Sequence, residues 1–306
     1  MHRGLAIRPL VIAHRGASAY LPEHTLAGKA MAHAMGADFL EQDVVATRDG
    51  ELIVFHDLHL DDLTDAALRF PGRARADGRH YCIDFDLAEI RQLAVSERRR
   101  AGSRQPRYPG RFPAAAGSFA IPTLDEEIRF IHGLNQSTGR RVGIYPEVKS
   151  PAWHHDHGID LAAKMLASLN RHGYSGPGDP AIMQCFDAGE LRRMRSELGC
   201  SLRQVQLLEG EGALPSDSEL AAIRGYADGI GPGLGLVLGT GLVQAAHRAG
   251  LQVHPYTLRA DALPPGFSNL EELLTVLCGA ESVDAVFTDF PDRVVRFLNQ
   301  YAAGLS

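Results

Sequence analysis

The chain has 306 residues, of which 45% are hydrophobic, and a formal net charge of −6. That acidic balance argues against general nucleic-acid binding, and no apolar run approaches the ~20 residues that a membrane-spanning helix needs. Cys82, Cys185, Cys200 and Cys278 stand far apart with no C-x-x-C pair, which points to packing rather than to a disulfide framework. Residues 9–13 are too short for the apolar core of a signal peptide, so no targeting segment is visible; a cytoplasmic protein and a mature or trimmed form both fit. Cationic residues are almost all arginine, lysine occurring only at Lys29, Lys149 and Lys164.

Short β-like runs alternate with helix-like stretches from end to end. Residues 10–13 read as a strand, followed by a helix over 22–35 with Pro22 at its start and Gly36 as its stop. Residues 39–47 read as the next strand, Asp49-Gly50 as a tight hairpin, and 51–56 as its return. After an interruption, Thr123 and Glu126 form a capping-box pattern at the head of a helix over 123–134. Strand and helix then alternate: 142–147 and 160–171, 181–186 and 188–198, 202–208 and 219–226, 229–231 and 242–249, 251–256 and 270–278, and finally 285–288 and 292–301. Eight such units predict an α/β fold, a closed (β/α)8 TIM barrel. Residues 59–120, rich in Arg, Gly and Pro, match no βα unit and read as one small insertion after the second strand of a single domain. An open doubly wound sheet would want a glycine-rich phosphate loop after its first strand, which HRGAS is not.

In a barrel of this kind the active site lies at the C-terminal ends of the strands, so polar residues that end apolar runs are the candidates. His14 and Arg15 end the first strand. Glu41 and Asp43 are two apart and share a face of the second strand with Phe39 and Val45. Carboxylates on such a face repel and resist desolvation unless a cation neutralises them; the alternative is a polar strand end at the rim. His56 ends the hairpin return. Glu147 and Lys149 share a face at another strand end, where a weak surface ion pair is the plain alternative. Together these groups suit a hard divalent cation, Ca²⁺ or Mg²⁺. Three carboxylates and a divalent ion leave one negative charge, which Arg15 and Lys149 overturn to a surplus of one positive charge. That surplus fits a monoanion such as a phosphodiester, with two histidines available as general base and general acid.

The sequence resembles the glycerophosphodiester phosphodiesterases, most nearly the bacterial periplasmic type. The resemblance runs through HRGASAYLPEHTLAGKAM, LEQDVVATRDGELIVFHDLHLDDLTD, GLNQSTGRRVGIYPEVKSP, VHPYTLR and VFTDFPDRVVRFLN. It implies the same barrel with an insertion after the second strand. It also implies His14 and His56 as the catalytic pair, Arg15 and Lys149 as phosphate contacts, and Glu41, Asp43 and Glu147 as ligands of one divalent cation, Ca²⁺ before Mg²⁺. The implied reaction is hydrolysis of small-molecule glycerophosphodiesters, such as glycerophosphocholine or glycerophosphoethanolamine, to sn-glycerol 3-phosphate and an alcohol. A phospholipase acting on intact lipid, and a non-catalytic binding protein on the same barrel, are the competing classes. The first would want a basic-amphipathic surface and the second a missing histidine or carboxylate.

Other features carry less. His154, His155 and His157 of HHDH read as structural or rim residues of a βα loop rather than as a metal tract. Arg98, Arg99, Arg100, Arg104, Arg107 and Arg111, with no acidic residue among them, read as a solvated loop; nucleic-acid binding is the sharp alternative, disfavoured in so acidic a protein, and a cover that helps attract anionic substrates is the middle one. GIGPGLG reads as a barrel strand and its turn rather than as a dinucleotide loop.

Overall fold

A computed structural model describes residues 8–103, 105–113, 116–210 and 212–305. Nine strands form one sheet: β1 (Leu10–Ala13), β2 (Phe39–Ala46), β3 (Leu52–Val54), β4 (Gly143–Val148), β5 (Ile182–Cys185), β6 (Arg203–Leu208), β7 (Gly229–Pro232), β8 (Gln252–Val253) and β9 (Ala285–Thr288). Eight of them run parallel in the order β8-β7-β6-β5-β4-β2-β1-β9, and β3 folds back antiparallel on β2 as the hairpin signal predicts. Beyond the short β8, backbone bonds from Asp284 to Val253, Phe287 to Pro255 and Leu258 to Phe287 (2.8–3.1 Å) carry the pairing across the last seam. The eight-unit (β/α)8 TIM barrel is thereby met. Helices α1 (Leu26–Ala34), α2 (Ala66–Arg69), α3 (Leu87–Ile90), α4 (Leu124–Thr138), α5 (Pro151–Asp156) and α6 (Leu161–Arg171) come first. They are followed by α7 (Ala188–Ser196), α8 (Asp217–Arg224), α9 (Leu242–Arg248), α10 (Leu270–Val276) and α11 (Pro291–Leu305). Among the described residues no helix is long and apolar enough to cross a membrane.

The strands alternate as a barrel wall must. Ile12, Phe39, Tyr145, Ile182, Val205 and Phe287 fill the barrel interior. Their neighbours Val11, Leu40, Ile144, Met183 and Val286 face the helices in the larger core between the layers. The Thr123–Glu126 capping box is present at the head of α4, which runs on to Gly139 in the left-handed region (φ 69°). The first helix starts later than its proline suggests. His24 sits at φ 58°, outside the helical region, so the helix begins at Leu26, capped by Thr25, whose hydroxyl accepts from Gly28 N at 3.1 Å.

The insertion is more than a loop. It contains α2, α3, a 3-10 turn at Cys82–Asp84, and antiparallel bridges from Val95 to both Thr64 and Phe119. Leu60, Leu63, Phe85, Ile90, Leu93 and Val95 bury themselves against Val45, Ile53 and Phe55 of the hairpin, making a second core above the barrel mouth.

Behind β2 lies a buried ion pair. Lys29 of α1 is fully enclosed, its Nζ donating to Glu127 Oε1 of α4 at 2.6 Å and to the Glu41 carbonyl. Gln42 Nε2 donates to the same Glu127 oxygen at 2.9 Å, and Gln42 Oε1 accepts from Tyr145 N at 3.0 Å. The outer face of β2 is thus tied to both flanking helices and to β4. Removing one partner of such a pair leaves the other charge buried alone, which costs about 3–5 kcal/mol. Lys29→Met is therefore expected to lower the urea-unfolding free energy by about that much, and Lys29→Met/Glu127→Gln to recover most of it. A single variant as stable as wild type would refute the pairing.

Candidate active site

The period of two that builds the barrel wall also builds the site. Two residues beyond each interior residue, the next side chain on that face emerges at the mouth: His14 after Ile12, Glu41 and Asp43 after Phe39, Glu147 and Lys149 after Tyr145, Gln184 after Ile182, Leu207 after Val205. Register aligns Asp43 with Glu147, and Glu147 with Gln184, so three polar groups occupy one rung. His56 arrives from the other side of the hairpin, where Phe55 N donates to Asp43 O at 2.8 Å. The seven residues expected from the sequence, His14, Arg15, Glu41, Asp43, His56, Glu147 and Lys149, all line one cavity of about 300 Å³. Gln184 and Arg259 complete its polar side, while Phe186, Leu207, Leu234 and Tyr256 form an apolar one.

The turn after β1 is tightly built. Arg15 and Gly16 both have positive φ (59° and 93°), and a Cβ on Gly16 would lie 3.0 Å from the backbone of Gly28 in α1. Only glycine lets the turn lie that close to the helix. The turn aims the backbone N–H of Arg15 at Glu41 Oε2, 2.9 Å away. The Arg15 side chain donates through Nη1 to Glu23 at 2.9 Å, and its Nε is buried without a hydrogen-bond partner, 3.4 Å from Asp43.

Glu41, Asp43 and Glu147 are each at most 5% exposed, and each brings an oxygen within 4.8 Å of the others. Lys149 Nζ lies 2.8 Å from Glu147 and 3.7 Å from Asp43; this is a buried contact, not the surface pair that lysine and glutamate make elsewhere. Gln184 Nε2 donates to the free Glu41 oxygen at 2.9 Å, and His24 Nε2 to Asp43 Oδ2 at 2.7 Å. Burial works against the Asp43 carboxylate, yet Lys149, His56 and His24 hold it well below the usual range. Glu41 and Glu147 go the other way: burial, reinforced by the Asp43 charge, pushes each up to about 8. Three all-oxygen donors that cannot be ionised together without a cation are the donor set a hard divalent ion takes. Two other acidic groupings, Asp57 with His59 and Asp62, and Asp160 with His155 and Glu190, are of similar size. Their carboxylates are already paired, Asp57 with Arg98, Asp62 with Arg79, and Asp160 and Glu190 with Arg193.

Each histidine is backed by a carboxylate. His14 Nδ1 donates to Asp289 Oδ1 at 2.6 Å and His56 Nδ1 to Asp57 Oδ1 at 2.5 Å, which leaves Nε2 of each ring for the cavity. Burial and Arg15 push His14 down to about 4 in spite of Asp289. Burial, Arg15 and Lys149 push His56 down to about 3. Both rings are therefore neutral near pH 7.

Several contributors escaped the sequence reading. Asp289 stands two residues beyond interior Phe287 and Gln184 two beyond Ile182, so the periodicity that found Glu41 could have found both. Glu23, His24 and Asp57 carry no such signal. Two of the arginines expected in a solvated loop are buried instead: the Arg98 side chain is 10% exposed and that of Arg111 is 5%. Arg100 and Arg107 are exposed, and Arg104 lies outside the described residues. His154, His155 and His157 are absent from the cavity lining; His154 is buried and its Nε2 accepts from Ala46 N at 3.2 Å, a structural role. GIGPGLG supplies β7 and the turn whose Gly233 and Leu234 line the cavity.

Residues 14–293 match the profile of the Glycerophosphoryl diester phosphodiesterase family. The chain is 42% identical to the glycerophosphodiester phosphodiesterase of Haemophilus influenzae, over 94% of this chain and 89% of that protein. It is 36% identical to that of Treponema pallidum, over 98% and 94% respectively. Among solved structures it is similar to one from Silicibacter pomeroyi attributed to the glycerophosphoryl diester phosphodiesterases (TM-score 0.75, 26% identity, 98% and 95% of the two chains). It also shares its fold with a phosphodiesterase from Oleispira antarctica in complex with the product sn-glycerol-3-phosphate (TM-score 0.69, 23% identity, 95% and 97%).

A divalent ion held by the carboxylate trio would bind in a pH-dependent way. Glu41 and Glu147 have raised values in the folded chain, so their contribution to stability is full below the unfolded carboxyl range near ~4.3 and is lost as pH rises to about 8. A cation needs both ionised and must displace their protons below pH 8. The melting-temperature gain at a fixed CaCl₂ concentration is expected to grow from pH 6 to pH 8 and then level, and to be largely lost in Glu147→Gln. A gain independent of pH over that window would refute the assignment.

Proposed function

We propose that this chain, which belongs to the glycerophosphoryl diester phosphodiesterase family and is a glycerophosphodiester phosphodiesterase, works through His14 and His56 as an acid–base pair. Its proposed substrates are deacylated phospholipids, including glycerophosphocholine and glycerophosphoethanolamine, cleaved to sn-glycerol 3-phosphate and the free alcohol. The observation that carries the reading is the pairing of two histidines, each held through Nδ1 by a carboxylate, around one cavity. The product named for the Oleispira antarctica enzyme supports sn-glycerol 3-phosphate as the product here.

Glu41, Asp43 and Glu147 would hold a divalent cation, Ca²⁺ before Mg²⁺, which when bound offsets charge gathering on the phosphoryl oxygens. The unpartnered Nε of Arg15 suits a phosphoryl oxygen, and Lys149 adds a second cation beside it. The apolar wall of Phe186, Leu207, Leu234 and Tyr256 suits the carbon skeleton of the bound diester.

Both rings are neutral in the free site, so one is ready as a base at Nε2. The other must gain a proton to act as an acid; burial and then the nearby cations keep it neutral, and the charge of an incoming phosphodiester opposes the cationic part. In the proposed route, the base takes the proton of the glycerol 2-hydroxyl as that oxygen attacks phosphorus. The P–O bond to the alcohol breaks, and the acid gives the departing oxygen its proton. Water then opens the cyclic phosphate, giving its proton to the second histidine while the first returns one to the 2-oxygen. Intramolecular attack gains from proximity, and recognition centred on glycerol accommodates varied alcohols.

The test is release of glycerol 3-phosphate from glycerophosphocholine with Ca²⁺, with Mg²⁺ and with chelator. Turnover is expected to vanish in chelator and return with Ca²⁺. In His14→Ala and in His56→Ala, kcat is expected to fall by ~10²–10⁴. Full activity in either variant would overturn the histidine pair, and normal turnover of a 2-deoxy substrate would overturn the cyclic route.

A further inference from the structure

We propose that Arg98 and Arg111, both from the insertion, are positioning residues that hold His56 and His14 through their carboxylates. The insertion is then a working part of the catalytic apparatus rather than a lid or a steering patch. This rests on the acid–base roles proposed above for the two histidines.

The two arms share one design, except that Asp289 Oδ2 also accepts from Arg259 Nε at 2.9 Å. Asp57 gives Oδ1 to His56 and Oδ2 to Arg98 Nη1 at 2.7 Å. Asp289 gives Oδ1 to His14 and Oδ2 to Arg111 Nη2 at 2.7 Å. Each guanidinium is in turn fixed by a fork to a second carboxylate. Arg98 donates twice to Glu23, at 2.9 and 2.8 Å, and Arg111 twice to Asp261, at 2.9 and 3.0 Å. A planar donor anchored on one side presents its remaining N–H groups in a fixed direction. The carboxylate it holds cannot rotate without losing a charged hydrogen bond, and the imidazole behind that carboxylate inherits the constraint.

Further contacts strengthen both arms. Arg111 lies 3.7 Å from the centroid of the Tyr108 ring and donates to Ser18 O at 3.3 Å, while Ser18 Oγ donates to His14 O at 2.8 Å. Arg98 shares Glu23 with Arg15, so it steadies the phosphate-facing arginine as well as His56. With its carboxylate partners met at this range, neither side chain is a free charge for attracting substrate. Steering would fall instead to exposed residues such as Arg100 and Arg107.

Glycerol 3-phosphate release separates these roles. In Arg98→Ala and Arg111→Ala, kcat is expected to fall ~10–100-fold with KM within about twofold of wild type, and millimolar guanidinium is expected to restore part of the lost kcat. Arg100→Ala and Arg107→Ala are expected to keep wild-type kcat and to gain nothing from guanidinium. Folded alanine variants with wild-type kcat, or with losses confined to a salt-sensitive KM, would overturn the proposal. Where an alanine variant does not fold, Arg98→Lys or Arg111→Lys decides. A single ammonium keeps the charge but cannot span both carboxylates, so lowered kcat at unchanged KM is expected, and wild-type kcat overturns the inference. Inactive His14→Ala and His56→Ala beside fully active arginine variants would overturn this inference alone. Active histidine variants would overturn the acid–base reading and this inference together.

Discussion

Three carboxylates buried close together at one barrel mouth set the terms for everything around them. At the effective dielectric of such sites, two like charges ~4 Å apart repel by roughly 4 kcal/mol, so Glu41, Asp43 and Glu147 cannot all be ionised unaided. The protein meets this partly by protonation, which burial forces on Glu41 and Glu147, and partly by Lys149 and Arg15 placed against Asp43. The proposed divalent cation would replace those protons with a charge facing all three carboxylates. The same geometry therefore accounts for the raised carboxyl groups, the buried lysine and the proposed ion.

Compensation propagates outward as alternating charge. From Asp43 it passes to Arg15, then Glu23, Arg98, Asp57 and His56. A second series runs from His14 to Asp289, Arg111 and Asp261. Most members are buried, the outer Asp261 being exposed, and each is paired with the one before it, so that removing a member weakens the hold on its neighbours. This explains why an insertion outside the βα pattern has its own packed core. The arginines it delivers must be held as firmly as the groups they pair with, and Phe85, Ile90 and Val95 fix the backbone that carries them.

The parts legible in the sequence are those governed by local periodicity. Alternation along FLEQDVV places Phe39 in the barrel, Glu41 and Asp43 at its mouth and Val45 under the insertion, as the one-face reading requires. The same rule applied to VFTD and IMQC would have reached Asp289 and Gln184. What stayed hidden depends on contacts distant in sequence. An arginine run with no acidic residue inside it reads as solvated, because Glu23, which pairs with Arg98, stands 75 residues away, and Asp289, which pairs with Arg111, stands 178 away. The start of α1 differs from the sequence expectation because His24, whose ring meets Asp43, lies outside the helical region.

The scarcity of lysine then acquires a physical sense. At Arg98 and Arg111 two carboxylates are bridged by hydrogen bonds from one side chain, which arginine's planar fork does without bending. Lys29 and Lys149 stand where the need is for a compact charge, on opposite faces of β2. Lys149 faces the carboxylates in the cavity, and Lys29 binds Glu127 and the Glu41 carbonyl from behind. An ammonium directs three donors around one small centre, and a guanidinium at either place would have to displace the strand or the carboxylates it serves. The strand that bears two proposed ion ligands is thus gripped from both sides by the residue type the rest of the chain avoids. Its register therefore depends on charge as well as on the hydrophobic alternation that first made it legible.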